Sequence, residues 1–348
     1  MEISIVGEIN KLKAAVYIQP ESIKISEIAK PEIKDKGAII KVNGCGLCGS
    51  DIVKIKHQLS ASGTILGHEI VGEIVEIKSG NTDLKAGDRI VAGHHVPCFN
   101  CKYCLNENYS MCRDFKESNI FPGGFCEYLF VSEDHLSNTV FKIPDSVSDI
   151  QASFTEPSAC CHRAVKRANV KPGDNVLVIG LGSIGLLIGQ IAKHFGANVS
   201  GCDLLKDRLS LALELGFDNT FNSIGTALTS AYYKSTTDET GADIIFMASG
   251  SESSLPLALS CVRDGGTIVV FSSIASDETG FANNQIYYRE LTVMGSYSPS
   301  PQDLCESLDL IKRGIIKVDF ASVYDFDNID GAIKDTLENR IIKAYIKI

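Results

Sequence analysis

The sequence predicts two joined architectures: a doubly wound parallel α/β sheet and, ahead of it, an antiparallel, barrel-like β domain. Three observations carry this. From about Lys13 to Pro144, short apolar runs are broken by Gly, Asp and Pro, the spacing of an all-β unit. After Val176, strands alternate with helical stretches that stop at glycine, as a parallel sheet covered on both faces requires. The last strand, Ile341–Ile348, finds no evident partner in the α/β unit and is expected to return to the first domain. A chain of 348 residues is long enough for both.

In the β unit the expected strands are Lys13–Ile18, Gly37–Val42, Ile70–Ile77, Asp88–Val91 and Phe125–Val131. The α/β unit opens with a buried strand, Val176–Ile179. A helix over Ser183–Phe195 closes at Gly196, a strand over Asn198–Asp203 follows, and a helix over Leu204–Leu215 closes at Gly216. Later strands are Asp243–Ala248, Thr267–Ser272 and Leu291–Ser296, and two helices follow Pro301. Val176 to Ala192 is apolar enough to suggest a membrane span. It holds Gly180, Gly182, Gly185 and Gly189, however, and passes from a β-branched run to a helical pattern, which a strand-turn-helix explains better.

A net charge of −10 without a dense basic patch argues against nucleic acid or an anionic membrane as partner. Met1 to Lys13 lacks a basic segment followed by an apolar core, so no signal peptide is expected. Of twelve cysteines, the eight outside the Cys98–Cys112 run are scattered through apolar segments, which fits reduced thiols in a cytoplasm.

Cys98, Cys101, Cys104 and Cys112 fall at C-x₂-C-x₂-C-x₇-C spacing. Four thiolates in so short a loop can wrap one zinc ion tetrahedrally, and a closed four-sulfur site leaves no open position, so this zinc is expected to be structural. Gly180-Leu181-Gly182-Ser183-Ile184-Gly185 follows a strand and opens a helix, with Asp203 ending the next strand. This is the context in which glycines admit a pyrophosphate to a helix N-terminus and a carboxylate accepts from the ribose hydroxyls, favouring NAD over NADP. Arg208 either lies over the adenine or is a solvated helix residue. Three further segments carry possible donors to a second, open zinc: Gly44-Cys45-Gly46-Leu47-Cys48-Gly49-Ser50-Asp51, Gly67-His68-Glu69 and Phe154-Thr155-Glu156-Pro157. Spacing alone leaves Cys45 as a substitute for Cys48.

In order and spacing these motifs resemble the zinc-dependent medium-chain alcohol and polyol dehydrogenases, over nearly the whole chain. Glu156-Pro157, where the liver-type enzymes carry a cysteine, makes it similar to the sorbitol, threonine and sugar-alcohol branch. The resemblance implies a GroES-like catalytic domain over 1–154 and 297–348, with a structural-zinc lobe at 93–115. It implies a Rossmann domain over 155–296 and an active site in the cleft between the two. Cys48 and His68 match catalytic-zinc ligands. Glu69 matches a carboxylate that ligates or sits just outside, and Glu156 a fourth position reached directly or through water. Ser50 matches the hydroxyl that passes the substrate proton toward solvent, and Asp51 the group orienting the zinc-bound imidazole. Two zinc ions per chain, NAD, a small alcohol or polyol substrate and a homodimer or homotetramer are therefore expected. A phosphorylated polyol is the alternative substrate, on a pattern similar to galactitol-1-phosphate dehydrogenase at Lys54. L-Threonine is a further one, and a non-catalytic zinc and nucleotide-binding regulator a remote one. Lys54 and Lys56 alternate with apolar residues, so both are read as able to point one way, onto a solvated face or toward substrate. His57 is read as solvent-facing in preference to a proton shuttle, and His94 and His95 as packing beside the zinc lobe in preference to touching substrate.

Overall fold

Strand formation begins with β1 (Lys11–Gln19) and β2 (Ser22–Ala29), which pair antiparallel. The computed structural model describes residues 11–19, 22–222, 225–236, 239–272 and 282–348, with residues 225–228 as backbone only. Most of the Met1–Lys13 segment, residues 1–10, therefore lies outside the described residues. The next strands are β3 (Gly37–Leu47), β4 (Glu69–Lys78), β5 (Arg89–Ala92), β6 (Tyr128–Ser132) and β7 (Val140–Lys142). Then come β8 (Asn175–Ile179), β9 (Asn198–Asp203), β10 (Asn219–Asn222), β11 (Ala242–Met247), β12 (Val262–Val270) and β13 (Thr292–Gly295). β14 (Ala321–Asp325) and β15 (Lys343–Lys347) close the chain.

Two compact units result. Unit one comprises Met1–Glu156, Ser300–Lys312 and Val318–Ile348; unit two comprises Pro157–Pro299 and Arg313–Lys317. Unit one carries a sheet of order β14-β15-β3-β4-β5-β7, with β6 also on β3. The final strand, expected to return to the first domain, pairs antiparallel with β3. The expectation of an antiparallel unit needs one correction: β14 and β15 run parallel, because the helix Ile329–Leu337 carries the chain back between them. Alternate residues of β3 and β4, among them Ile40, Ile70 and Ile74, meet Ile90, Phe125, Leu129, Ile329 and Ile346 in one buried cluster.

Unit two is a six-stranded, wholly parallel sheet of order β10-β9-β8-β11-β12-β13. Strand order reverses beside β8, whose five residues are all buried, as a strand covered on both faces should be. The helix Ser183–His194 follows β8 directly. At Gly185 a Cβ would lie 1.9 Å from the Gly180 carbonyl oxygen, so only glycine lets this helix sit so close to its strand.

Candidate active site

The helix Gly49–Lys56 opens at Cys48, an extended N-cap residue. Ser50 N donates to Cys48 Sγ at 3.5 Å, and Cys48 N donates to Asp51 Oδ2 at 3.2 Å, a reciprocal capping box that holds thiol and carboxylate together. Asp51 is fully buried. Its Oδ1 accepts from Gly67 N at 3.4 Å and lies 3.4 Å from His68 Nδ1. Burial would raise the Asp51 pKa, but His68, and after it Lys54, hold it below the usual carboxylate value. Burial pulls His68 down, yet Asp51 and Cys48 outweigh it and leave its pKa well above the ordinary imidazole value. With Nδ1 facing Asp51, Nε2 is the nitrogen left to donate to a metal.

Glu69 begins β4 opposite Gly46 of β3, and a Cβ on Gly46 would fall 2.0 Å from Glu69 Oε2, so a larger residue there would displace the Glu69 carboxylate. The Glu69 carboxylate is 1 % exposed, and Lys343 of β15 donates Nζ to Oε1 at 2.6 Å. Oε2 lies 2.5 Å from the same ammonium, off hydrogen-bond geometry. Burial disfavours the charged lysine, but Glu69 and Cys48 more than offset this and raise the Lys343 pKa. Lys343 went unread in the sequence: it lies 274 residues from Glu69 and only strand pairing brings the two together.

One ligand atom from each of Cys48, His68 and Glu69 lies within 4.8 Å of the others. A thiolate, an imidazole and a carboxylate so gathered form the mixed set that zinc takes when one position stays open, so these residues fit that ion. Cys45 stands elsewhere: it is fully buried, donates Sγ–H to the Gly46 carbonyl, and burial pushes its pKa well up. Glu156 is buried and lines a small cavity with Glu69, Ser153 and Thr155, but it is not part of the three-ligand group. Ser50 is exposed at the helix start.

The ring of His94 lies 4.7 Å from that of His68, and burial with the His68 charge holds its pKa well below the ordinary value. His95 contacts the Ser118 carbonyl and packs 4.8 Å from Phe115, beside the cysteine lobe, and burial lowers it to about 4. His57 is exposed at the helix end. Lys54 and Lys56 do not share a face, because the segment is a helix and two residues turn the side chain through more than a right angle. Lys54, one turn beyond Ser50 and Asp51, is half-buried, whereas Lys56 is exposed.

Within the lobe, Sγ–Sγ separations are 3.5 Å for Cys98–Cys112, 3.6 Å for Cys101–Cys104 and 3.9 Å for Cys98–Cys104. Disulfide sulfurs stand about 2.0 Å apart, and a tetrahedron built on zinc–sulfur bonds of about 2.3 Å has edges of about 3.8 Å. The four thiols match the second spacing, so the lobe fits a tetrahedral ion.

In unit two, Gly182 caps the helix Ser183–His194 with no side-chain cap, and a Cβ there would meet nothing within 4 Å. Ser183 Oγ is buried without a partner beside it. Open space, free helix N–H groups and an unmet hydroxyl fit a pyrophosphate. Asp203 has a bracing task as well: Oδ2 accepts from Leu181 N at 2.8 Å and Oδ1 from Leu205 N at 3.0 Å, with Arg208 Nη1 3.6 Å away. Arg208 is thus neither fully solvated nor free of the carboxylate. The lone pairs that remain on Asp203 are the ones a ribose could use.

The fold and donor sets are those of a zinc-binding dehydrogenase with a GroES-like domain. The alcohol dehydrogenase GroES-like domain family matches residues 34–145, and the zinc-binding dehydrogenase family matches residues 183–313. A sorbitol dehydrogenase of Halalkalibacterium halodurans is 34 % identical over 79 % of this chain and 80 % of its own length. Among solved structures, a zinc-binding dehydrogenase of Sinorhizobium meliloti bound to NADP is 26 % identical, with a TM-score of 0.87 and coverage of 97 % of this chain and 99 % of the other. Galactitol-1-phosphate dehydrogenase of Escherichia coli is 27 % identical, with a TM-score of 0.86 and coverage of 97 % and 100 %. The chain belongs to the zinc-dependent medium-chain dehydrogenase family and is an oxidoreductase whose nucleotide is NAD or NADP.

Proposed function

We propose that the chain oxidises a secondary alcohol of the polyol class, free or phosphorylated, with NAD as acceptor. We further propose one zinc at Cys48, His68 and Glu69 and a second in the cysteine lobe. The observation that carries this reading is the gathering of Cys48, His68 and Glu69 beside a helix that also presents Asp51 and Ser50. When bound, zinc supplies Lewis acidity at the substrate oxygen and nicotinamide the acceptor for hydride. The chain supplies the rest. Asp51 fixes the His68 ring through Nδ1, so that Nε2 stays aimed. Lys343 holds the Glu69 carboxylate against β15. Ser50 Oγ, exposed at the helix start, takes the carbinol proton and hands it to solvent. Glu156 lends a fourth contact through water.

Asp203 supports NAD over NADP, since a 2′-phosphate would meet its carboxylate at close range. Strand β13, at the edge of its sheet with Thr292 and Val293 exposed, supports a homodimer or homotetramer. Twelve cysteines with no disulfide among them support a reducing, cytoplasmic setting.

The test joins metal analysis to a panel of alcohols, polyols and polyol phosphates followed by NADH absorbance. Two zinc ions per chain and turnover of a polyol are expected. Cys48→Ser and His68→Ala should abolish turnover while NAD still binds. Full turnover in metal-free Cys48→Ser protein would remove the basis of the reading.

A further inference from the structure

The proposed function, on which this inference rests, leaves open which part of a polyol the chain recognises beside the reacting carbinol. β5 runs into a short segment, residues 93–96, whose backbone is pinned from several sides. Gly93 N donates to the Thr139 carbonyl at 2.8 Å, and Thr139 Oγ1 returns a hydrogen bond to the Gly93 carbonyl at 3.2 Å. His135 Nε2 donates to the His94 carbonyl at 3.1 Å, and Val96 N to Ser118 Oγ at 2.8 Å. A Cβ on Gly93 would fall 2.6 Å from Leu304 Cδ1, so the segment is also closely packed. A backbone held at so many points gives its side chains fixed directions.

The two histidines of the segment are sent different ways. His95 turns to the cysteine lobe, where a ring nitrogen meets the Ser118 carbonyl and the ring packs on Phe115. His94 turns to the candidate metal centre, its ring 4.7 Å from that of His68. It is not a further ligand, since the group gathered there is Cys48, His68 and Glu69. His94 is half-buried, and neither of its ring nitrogens has a hydrogen-bond partner among the described residues. An imidazole packed for stability looks different: His135, 3 % exposed, has both ring nitrogens paired, with Ser132 Oγ and with the His94 carbonyl. Half-hidden polar atoms left unmet beside a metal-ligating ring are met by what enters the site.

We propose that His94 binds the hydroxyl on the carbon next to the reacting carbinol, and so makes the chain selective for vicinal diols over lone secondary alcohols. The reacting oxygen belongs at the metal that His68 holds, and the substrate group closest to a ring packed on His68 is then the hydroxyl one carbon along. An imidazole offers an N–H donor and, when neutral, an acceptor nitrogen as well; a hydroxyl can answer either. A site that hydrogen-bonds a substrate hydroxyl rejects the analogue lacking it, because its own polar atoms are then left unpaired.

The test takes the polyol that the zinc-loaded enzyme oxidises fastest, and two deoxy analogues of it, one lacking the hydroxyl beside the reacting carbon and one lacking the next hydroxyl along. In the native enzyme kcat/KM should fall about tenfold or more for the first analogue and less for the second. In His94→Phe, which keeps a ring against His68, and in His94→Leu, the parent polyol should lose about tenfold while the first analogue loses little, so that their ratio closes toward one. His94→Gln, which keeps a donor and an acceptor, should retain more of the ratio, and His57→Gln should leave it unchanged. Calorimetric titration of the three alcohols into enzyme carrying NADH should rank their affinities in the same order, and zinc content should match the native enzyme's in every variant. A native ratio near one, a ratio kept in both His94→Phe and His94→Leu, or loss of zinc from both would overturn the inference while leaving polyol oxidation standing. Failure to oxidise any polyol with either nucleotide would overturn the function beneath it.

Discussion

Lys343 gives the candidate metal centre a buried cation that none of the motifs displays. It is 6 % exposed, it faces a carboxylate that is 1 % exposed, and the two hold each other in a place where either alone would be costly. Removing the lysine leaves a buried carboxylate without its cation, and breaking such a pair costs about 3–5 kcal/mol. Lys343→Met should therefore lower unfolding free energy by about that much in urea titrations of metal-free protein. Glu69→Gln in the same chain should restore much of the loss, because the orphaned charge goes with it. A loss under about 1 kcal/mol in the single variant would show that water reaches Glu69. The contrast with the neighbours is instructive. Cys48, Ser50, Asp51, His68 and Glu69 were singled out through the resemblance of short motifs, and such motifs are local in the fold: a capping box holds the first three together, and a glycine precedes the last two. Lys343 was not, since nothing in Lys343-Ala344-Tyr345-Ile346-Lys347 marks one lysine as buried and the other as exposed.

At the scale of elements, the short helix Glu133–Asn138 carries a titration that bears on stability. His135 is 3 % exposed; its Nε2 donates to the His94 carbonyl at 3.1 Å, so Nδ1 is the acceptor that meets Ser132 Oγ at 2.8 Å. Burial lowers the pKa of His135 and brings His95 to about 4. Folded values below the unfolded one of about 6.5 mean that the unfolded chain takes up protons first. The stability these groups contribute is complete above about pH 6.5 and is lost as pH falls toward their folded values, by about 1.4 kcal/mol per pH unit for each proton. Urea midpoints should thus drop between pH 7.5 and pH 5, and His135→Gln should flatten the slope; an unchanged slope would relieve His135 of this role. The cysteine lobe poses a different question, for its helices Lys102–Leu105 and Arg113–Glu117 are too short to persist unaided. Cys101→Ser should abolish amide protection over residues 98–117 while β8 and β11 keep theirs, and a protected lobe in that variant would mean its packing suffices without metal. Elements of this kind show which patterns were readable. β8 and β11 stood out as apolar runs preceded by glycine, and β9 as the strand that follows a glycine-closed helix, whereas β2, β10 and β14 did not, since apart from Ile23 their residues are half-exposed or exposed.

At the scale of the whole molecule, the chain leaves unit one after Glu156, completes a second core, and comes back to supply β14 and β15. The missing partner of the last strand announced this return in the sequence. That β15 would lie between β14 and β3, rather than at an edge, could not be foreseen, because strand order depends on which backbone groups remain unpaired once the other strands are down. The position has a consequence. Deleting residues 343–348 removes the one strand paired with β14 among the described residues, the partner of β3 over residues 44–47, the buried Ala344, Tyr345 and Ile346, and the cation of Glu69. Unit two loses none of its own core, which is built from Leu177, Ile245, Met247, Val262 and Ile268. Hydrogen exchange on the truncated chain should therefore show amide protection lost across β3 and β4 and kept in β8 and β11. Collapse of protection in both units would show that they fold as one cooperative body, and protection kept in β3 would show that β15 only trims a sheet already stable without it.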